Sequence, residues 1–257
     1  MVKLLPLIVP MNFKYPALKR KWWTAGCCLL IMSVNTLKAQ YFAIDAGYTG
    51  SKMKFEGLNQ VIDKYNERRP YLDRELGNIN YLDGFTLGMG LGERHLLMDF
   101  RLNFANANRY ATGVDGNPAY PAGASFRRDL KVRQRTGVFT MGGGKVFRGK
   151  TDVGLVLGLR SEVGKTKVFT RVYQDGAEVP DFDEVVDDLF LRAGPTLITL
   201  IAPREGVVFQ FHLFYVHSLF SWDSEDLDRK LHGSFPPSSE NSNHGLGFAL
   251  TFGFGNL

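Results

Sequence analysis

Beyond Gln40 the chain alternates bulky apolar residues with small or polar ones at a period of two. Phe42, Ile44, Ala46 and Tyr48 alternate with Ala43, Asp45, Gly47 and Thr49. The same pattern runs through Phe85–Leu91, Leu96–Phe104, Val153–Leu159, Phe209–Tyr215 and Leu246–Phe254. Alternation of this length predicts strands, because successive side chains of a strand point to opposite faces. Two further segments are less regular. Lys131–Phe147 sets Arg133, Arg135 and Gly137 on one face, with Val132, Thr136 and Val138 on the other. Asp188–Ala202 sets Arg192, Gly194 and Thr196 on one face and contains Pro195, which lacks a ladder donor and predicts a bulge or a strand end. The chain therefore reads as all-β, with eight strands.

The connections alternate in length. Those at 56–82, 106–130, 172–187 and 223–243 are long, and those around Gly92–Arg94, Arg148–Lys150 and Pro203–Glu205 are short. Short periplasmic turns and long extracellular loops are the habit of antiparallel up-and-down transmembrane β-barrels. In the first long connection Leu58, Val61, Ile62 and Tyr65 recur at helical spacing ahead of Pro70, which predicts a short amphipathic helix.

The choice between a soluble and a transmembrane barrel rests on the two faces. A soluble barrel carries its apolar face inward. Here the face opposite the bulky one collects Asp45, Asp99, Arg101, Arg133, Arg135, Arg160, Glu162, Arg192, Gln210 and His212 among glycines. An arginine on a lipid-facing surface at mid-membrane costs about 2–4 kcal/mol. These residues are accordingly expected inside as an interior polar network, with Phe214 and Met141 also facing inward. Eight strands enclose a lumen that side chains can fill, so a salt-bridged plug is the expected state. The arginine excess on that face would favour anions if anything passed.

Residues 1–39 carry six basic residues and no acidic one, and the basic stretch Lys14–Lys21 leads into an apolar run from Trp22 to Val34 that ends at Leu37-Lys38-Ala39. This layout predicts a cleaved signal peptide over 1–39 and a barrel domain over 40–257, with translation beginning at Met1 or Met11. The apolar run is too short for a span of roughly 20 residues. Thr24–Cys27 looks like a lipoprotein cleavage box, but its apolar stretch follows the cysteine where it should precede it. Both cysteines, Cys27 and Cys28, fall in this leader. The whole chain has 31 basic and 26 acidic residues, so removing the leader leaves 25 against 26. The basic balance belongs to targeting and gives no reason to expect nucleic acid.

Catalytic and metal chemistry find weak support. His217 and Ser218 are adjacent and should face opposite ways on a strand, against a serine–histidine lipid hydrolase. The five histidines show no ligand spacing, and the acidic stretch Asp175–Asp188 lacks the regular spacing of a calcium loop. Met141-Gly-Gly-Gly-Lys145 lies in a strand pattern and opens no helix, so it is not a phosphate loop. No cofactor and no metal are expected.

In this pattern, and in the terminal strand His244-Gly-Leu-Gly-Phe-Ala-Leu-Thr-Phe-Gly-Phe-Gly-Asn-Leu257, the chain resembles the small eight-stranded outer-membrane β-barrels typified by the transmembrane domain of outer membrane protein A. The terminal strand is similar to the signal read by the barrel-assembly machinery, although it ends in Leu257 where an aromatic residue is usual. The resemblance implies the outer membrane of a Gram-negative-type bacterium, with lipid and lipopolysaccharide as surroundings. It implies location more than activity. The function expected first is a non-enzymatic barrel that anchors external loops for envelope organisation or for binding a protein partner. A narrow porin-like channel for ions or small solutes, an accessory barrel of a secretion or surface-assembly machine, and, behind these, a lipid-modifying enzyme are the alternatives.

Overall fold

The computed structural model describes residues 41–256 except 94, 115–124, 148–149, 175–176, 205, 221, 233–239 and 242–243. The expected leader, the tips of the three short turns and part of the acidic stretch lie outside the described residues. Eight long strands form the barrel: β1 Tyr41–Lys54, β2 Tyr81–Glu93, β3 Leu96–Gly113, β4 Phe126–Phe147, β5 Asp152–Gln174, β6 Asp183–Arg204, β7 Gly206–Phe220 and β8 His244–Asn256. Each pairs antiparallel with its sequence neighbour, and β8 pairs with β1 to close the ring. Following the register from Tyr41 through Gly92, Leu97, Gly142, Gly158, Thr196, Phe214 and Gly247 returns to Ser51. That displacement along β1 is the stagger that tilts the strands of a closed barrel. At the start of β7 Gly206 takes φ +84°, a conformation open to glycine at little cost.

Four strands are longer than their alternation suggested. Residues 106–113, 126–130, 172–174 and 183–187, expected in loops, are strand, which shortens the connections to 114–125 and 175–182. Along these extensions the pattern turns inside out. In the lower part Leu155, Leu157, Leu159 and Val163 face outward and Arg160 and Glu162 inward. In the upper part apolar residues take over most inward positions, with Ala107, Ala111, Leu130, Val132, Val168 and Val186 buried alongside Gln134, Thr166 and Thr170. The outward positions there carry Asn106, Asn108, Lys131, Arg133, Lys165 and Lys167. The lower section is a barrel suited to lipid, and the upper one is built like a soluble barrel. Val153 to Val163 spans roughly 33 Å of strand at about 3.3 Å per residue, which a tilt of about 40° reduces to the roughly 25 Å band of a transmembrane barrel.

Pro195 marks neither a bulge nor an end. β6 runs straight through it, paired with Leu159 on one side. On the other side the ladder to β7 skips Gly194 and Pro195 and resumes in the same register. One missing donor is absorbed there because the strand is held on both flanks.

The predicted helix is present as α1, Glu56–Glu67, with Leu58, Val61, Ile62 and Tyr65 buried. It folds into its own barrel mouth. Asn59 accepts the Ile79 amide at 2.9 Å, and Asn66 accepts the Leu76 amide at 2.9 Å while donating to the Leu76 carbonyl at 3.0 Å. Two side chains thereby hold the stretch 75–80 of the return segment, while Leu72–Arg74 ahead of it pairs with the upper end of β3. A second helix, α2 Glu225–His232, adds Leu227 and Leu231 to the same apolar cluster, and Asp228 stands 3.7 Å from Lys64 of α1.

Candidate functional site: a closed lumen

The lumen is filled in three tiers. At the turn end an apolar cluster joins Tyr41, Ala43, Leu97, Val156, Ile198, Leu200 and Val208. At the outer end the strands enclose the apolar core under α1 and α2. Between them lies the polar tier.

The polar tier consists of two linked groups. Arg101 is the centre of the first. Its Nε donates to Asp99 at 2.8 Å, its Nη1 to Asp45 at 2.7 Å, and its Nη2 to Gln210 Oε1 at 2.9 Å. Gln210 in turn donates to Asp45 at 2.7 Å, and His212 Nε2 lies 3.1 Å from Gln210 Oε1. Gly88 stands between the two strands that carry Asp45 and Arg101, and a Cβ there would meet Arg101 Nη1 at 2.8 Å and Asp45 Oδ1 at 2.9 Å. Glycine makes the room that the ion pair occupies. In the second group Glu162 lies between two arginines, with Arg160 Nε and Arg192 Nη2 each 2.6 Å from it. Arg160 is 0% exposed, and its guanidinium lies 3.8 Å from the Phe214 ring centroid. Arg192 lies over Phe190 at 4.2 Å and reaches Gln134 at 3.5 Å. Cation–π contact supplies part of what hydrogen bonds do not, for Arg160 Nη1 and Nη2 have no hydrogen-bond partner among the described residues.

Asp45, Asp99, Arg101, Arg160, Glu162, Arg192, Gln210 and His212 are thus brought together inside. Arg133 and Arg135 are not. On β4 the inward residues are Val132, Gln134, Thr136, Val138 and Thr140, and both arginines point outward. Met141, expected inside, is 48% exposed on the same outer face. The cause is the change of medium along β4. At the height of Arg133 and Arg135 the outward apolar band has ended, so an outward cation there has no acyl chains to avoid. With these two removed, three arginines face three carboxylates, and the expected cationic excess in the lumen disappears. Gln134 is the member that the sequence reading missed, through this reversal of faces. Beside Glu162 and Arg192 the lumen retains a cavity of about 20 Å³, the size of one water molecule.

The residues weighed for catalysis are engaged with different partners. Ser218 Oγ donates to the Phe220 carbonyl at 2.6 Å, and His217 is beside His244, ring centroids 5.9 Å apart. The acidic side chains Asp183, Glu184 and Asp187 each face a lysine. Burial pushes the Asp187 carboxyl up, but the hydrogen bond and charge of Lys165, aided by Lys167, outweigh it and hold the group below its ordinary range.

No protein-family model matches the chain, and no curated protein matches it. Among solved structures it is similar to Ail, the attachment invasion locus protein of Yersinia pestis, at 10% identity over 84% of this chain and 99% of that one, with a TM-score of 0.39. It is also similar to Neisserial surface protein A, at 10% identity over 84% and 96% of the two chains and a TM-score of 0.36. The outer-membrane protease OmpT of Escherichia coli follows at 8% identity, 86% and 96% coverage and a TM-score of 0.26. By its own closed ring of eight paired strands and the outward-facing apolar band they carry, the chain has the fold of a small eight-stranded transmembrane-type β-barrel.

Proposed function

We propose that this protein is a non-enzymatic and non-conducting barrel that holds a stiff extracellular platform above the outer membrane for a partner to bind. The observation that carries this reading is the continuation of β3 to β6 beyond the apolar band, around a packed core closed by α1 and α2. A pore needs an open lumen, whereas this one is filled at every level. A platform needs rigidity, and the upper barrel has it from paired strands and buried apolar contacts. On this reading residues 1–39 are removed after export, leaving a mature chain that begins at Gln40 or Tyr41. The terminal strand β8, which seals the ring against β1, is then the segment offered to the assembly machinery.

Photo-crosslinking in intact cells tests the reading. A reactive residue placed at Tyr173, on the outer face of the upper barrel, should capture a discrete partner. The same residue at Leu157, on the lipid-facing band, should capture only lipid. Steady conductance of the purified barrel, or identical crosslinks from both levels, would refute it.

A further inference from the structure

The outward surface of β4 and β5 changes abruptly where the strands leave the lipid. In the last apolar rows Phe139 stands beside Ser161 and Gly137 beside Val163. The next two outward rows place Arg135 beside Lys165 and Arg133 beside Lys167, and one step further up Lys131 stands beside Asn108 of β3. Five cations therefore share one face over three successive rows. Two are answered by carboxylates: Lys165 by Asp187 at 2.7 Å, and Lys167 by Glu184 and, at 3.5 Å, by Asp187. Lys131, Arg133 and Arg135 form no ion pair among the described residues. They border instead a hollow of about 350 Å³, whose other walls include Phe104, Asn106 and Asn108.

Three cations without a carboxylate, at alternate positions of one strand, repel one another. Arg133 lies 5.3 Å from the Phe169 ring centroid and Lys131 5.9 Å from that of Phe182. Neither ring removes a full charge, and an anion between the cations does. The height of the cluster specifies the anion. It sits directly above the last lipid-facing row, the level at which the phosphates of outer-leaflet lipids lie. Guanidinium groups are suited to phosphate because their fork matches its oxygens, and lysine supplies a point charge beside them. The Asn106 and Asn108 amides offer the donors and acceptors that sugar hydroxyls require.

We propose that this hollow binds the phosphate-bearing head group of an outer-leaflet glycolipid, with Arg133, Arg135 and Lys131 on the phosphate and the two asparagines on the adjoining sugar. The site rests on the membrane orientation of the barrel. It does not depend on a protein partner or on the closed lumen.

The protein purified from membranes and reconstituted in phosphatidylcholine nanodiscs with a minor fraction of bis-phosphorylated lipid A provides the test, with retained glycolipid counted by native mass spectrometry. Wild type should retain phosphorylated lipid A and not its dephosphorylated form. Each neutralised cation should weaken retention roughly fivefold, so the Arg133→Gln/Arg135→Gln pair should weaken it about 25-fold. Lys145→Gln, near the opposite end of β4, should leave retention unchanged. Arg133→Lys/Arg135→Lys should preserve most of it. Wild-type retention by the glutamine pair overturns the proposal, and so does equal retention of dephosphorylated lipid. Displacement by inorganic phosphate at matched ionic strength would assign the cluster to a free anion and overturn it as well. Arg135→Gln alone, at an exposed position, decides the matter if the pair does not fold. Failure of wild type itself to insert as a heat-modifiable barrel would instead refute the membrane reading.

Discussion

Arg101 on β3 grips Asp45 on β1 across the lumen, with Nη1 to Oδ1 at 2.7 Å and Nη2 to Oδ2 at 3.2 Å. The same guanidinium also bonds Asp99 at 2.8 Å and 3.0 Å, so one cation holds two buried carboxylates. Arg101→Met should therefore strand both acids in a dry interior. Removing one partner of a buried charge group costs about 3–5 kcal/mol. We expect a correspondingly lower unfolding midpoint in urea with the protein in vesicles, restored in large part when Asp45→Asn and Asp99→Asn are added. An unchanged midpoint for Arg101→Met alone would show that the group contributes nothing to stability.

The height at which lipid ends can be tested by charge. Leu157 is 70% exposed within the apolar band. Leu157→Arg should cost about 2–4 kcal/mol and slow assembly, because the charge lies among acyl chains. Arg135→Leu, two outward positions above Phe139 on β4, should cost well under 1 kcal/mol, since its surroundings are already polar. Stability measurements of the two variants in the same bilayer should separate them clearly. Equal costs would mean that the band is misplaced.

Conduction requires all three tiers of the lumen to open. Deleting residues 56–79 removes α1 and its return segment, and with them the cover of the upper core. Planar-bilayer recordings of this variant should still show no steady current, because the ion pairs of Glu162 with Arg160 and Arg192 remain below. Brief openings should increase only when Arg160→Ala and Arg192→Ala are combined with the deletion. A stable conductance from the deletion alone would show that the polar tier does not close the lumen.

The cap over the upper core should loosen in alkali. Burial raises the Tyr65 phenol above its ordinary value of 10.0, a shift that the nearby Arg128 and Arg69 charges reduce but do not cancel. A raised folded-state value favours the neutral phenol. Its contribution to stability is therefore complete below pH 10 and declines as the pH climbs from there through the raised value. Thermal unfolding followed from pH 8 to 11 should show a loss in wild type that Tyr65→Phe reduces. Parallel curves for the two proteins would exclude Tyr65 as the responsive group.

How much of this was legible in the chain depended on the medium around each residue. In the lipid-embedded section, Leu157 against Arg160 or Phe100 against Arg101 can be assigned to outside and inside from spacing alone. Lipid excludes charge, and a strand has only two faces. The helix at Leu58–Tyr65 was equally legible, because its apolar stripe has one spacing and its end is marked by Pro70. Arg133 and Arg135 were not. The rule that places charge inside holds only within the apolar band, and nothing local in Lys131–Phe147 marks where that band stops. The partners were also beyond reach. Asp45 meets Arg101 and Glu162 meets Arg192 because closing the ring with a stagger sets which rows face one another. That stagger is a property of all eight strands together. Period two decides the side of the wall on which a residue stands. The closed barrel decides its height and its neighbours, and so decides that three arginines and three carboxylates fill the lumen while three further cations wait at the lipid edge.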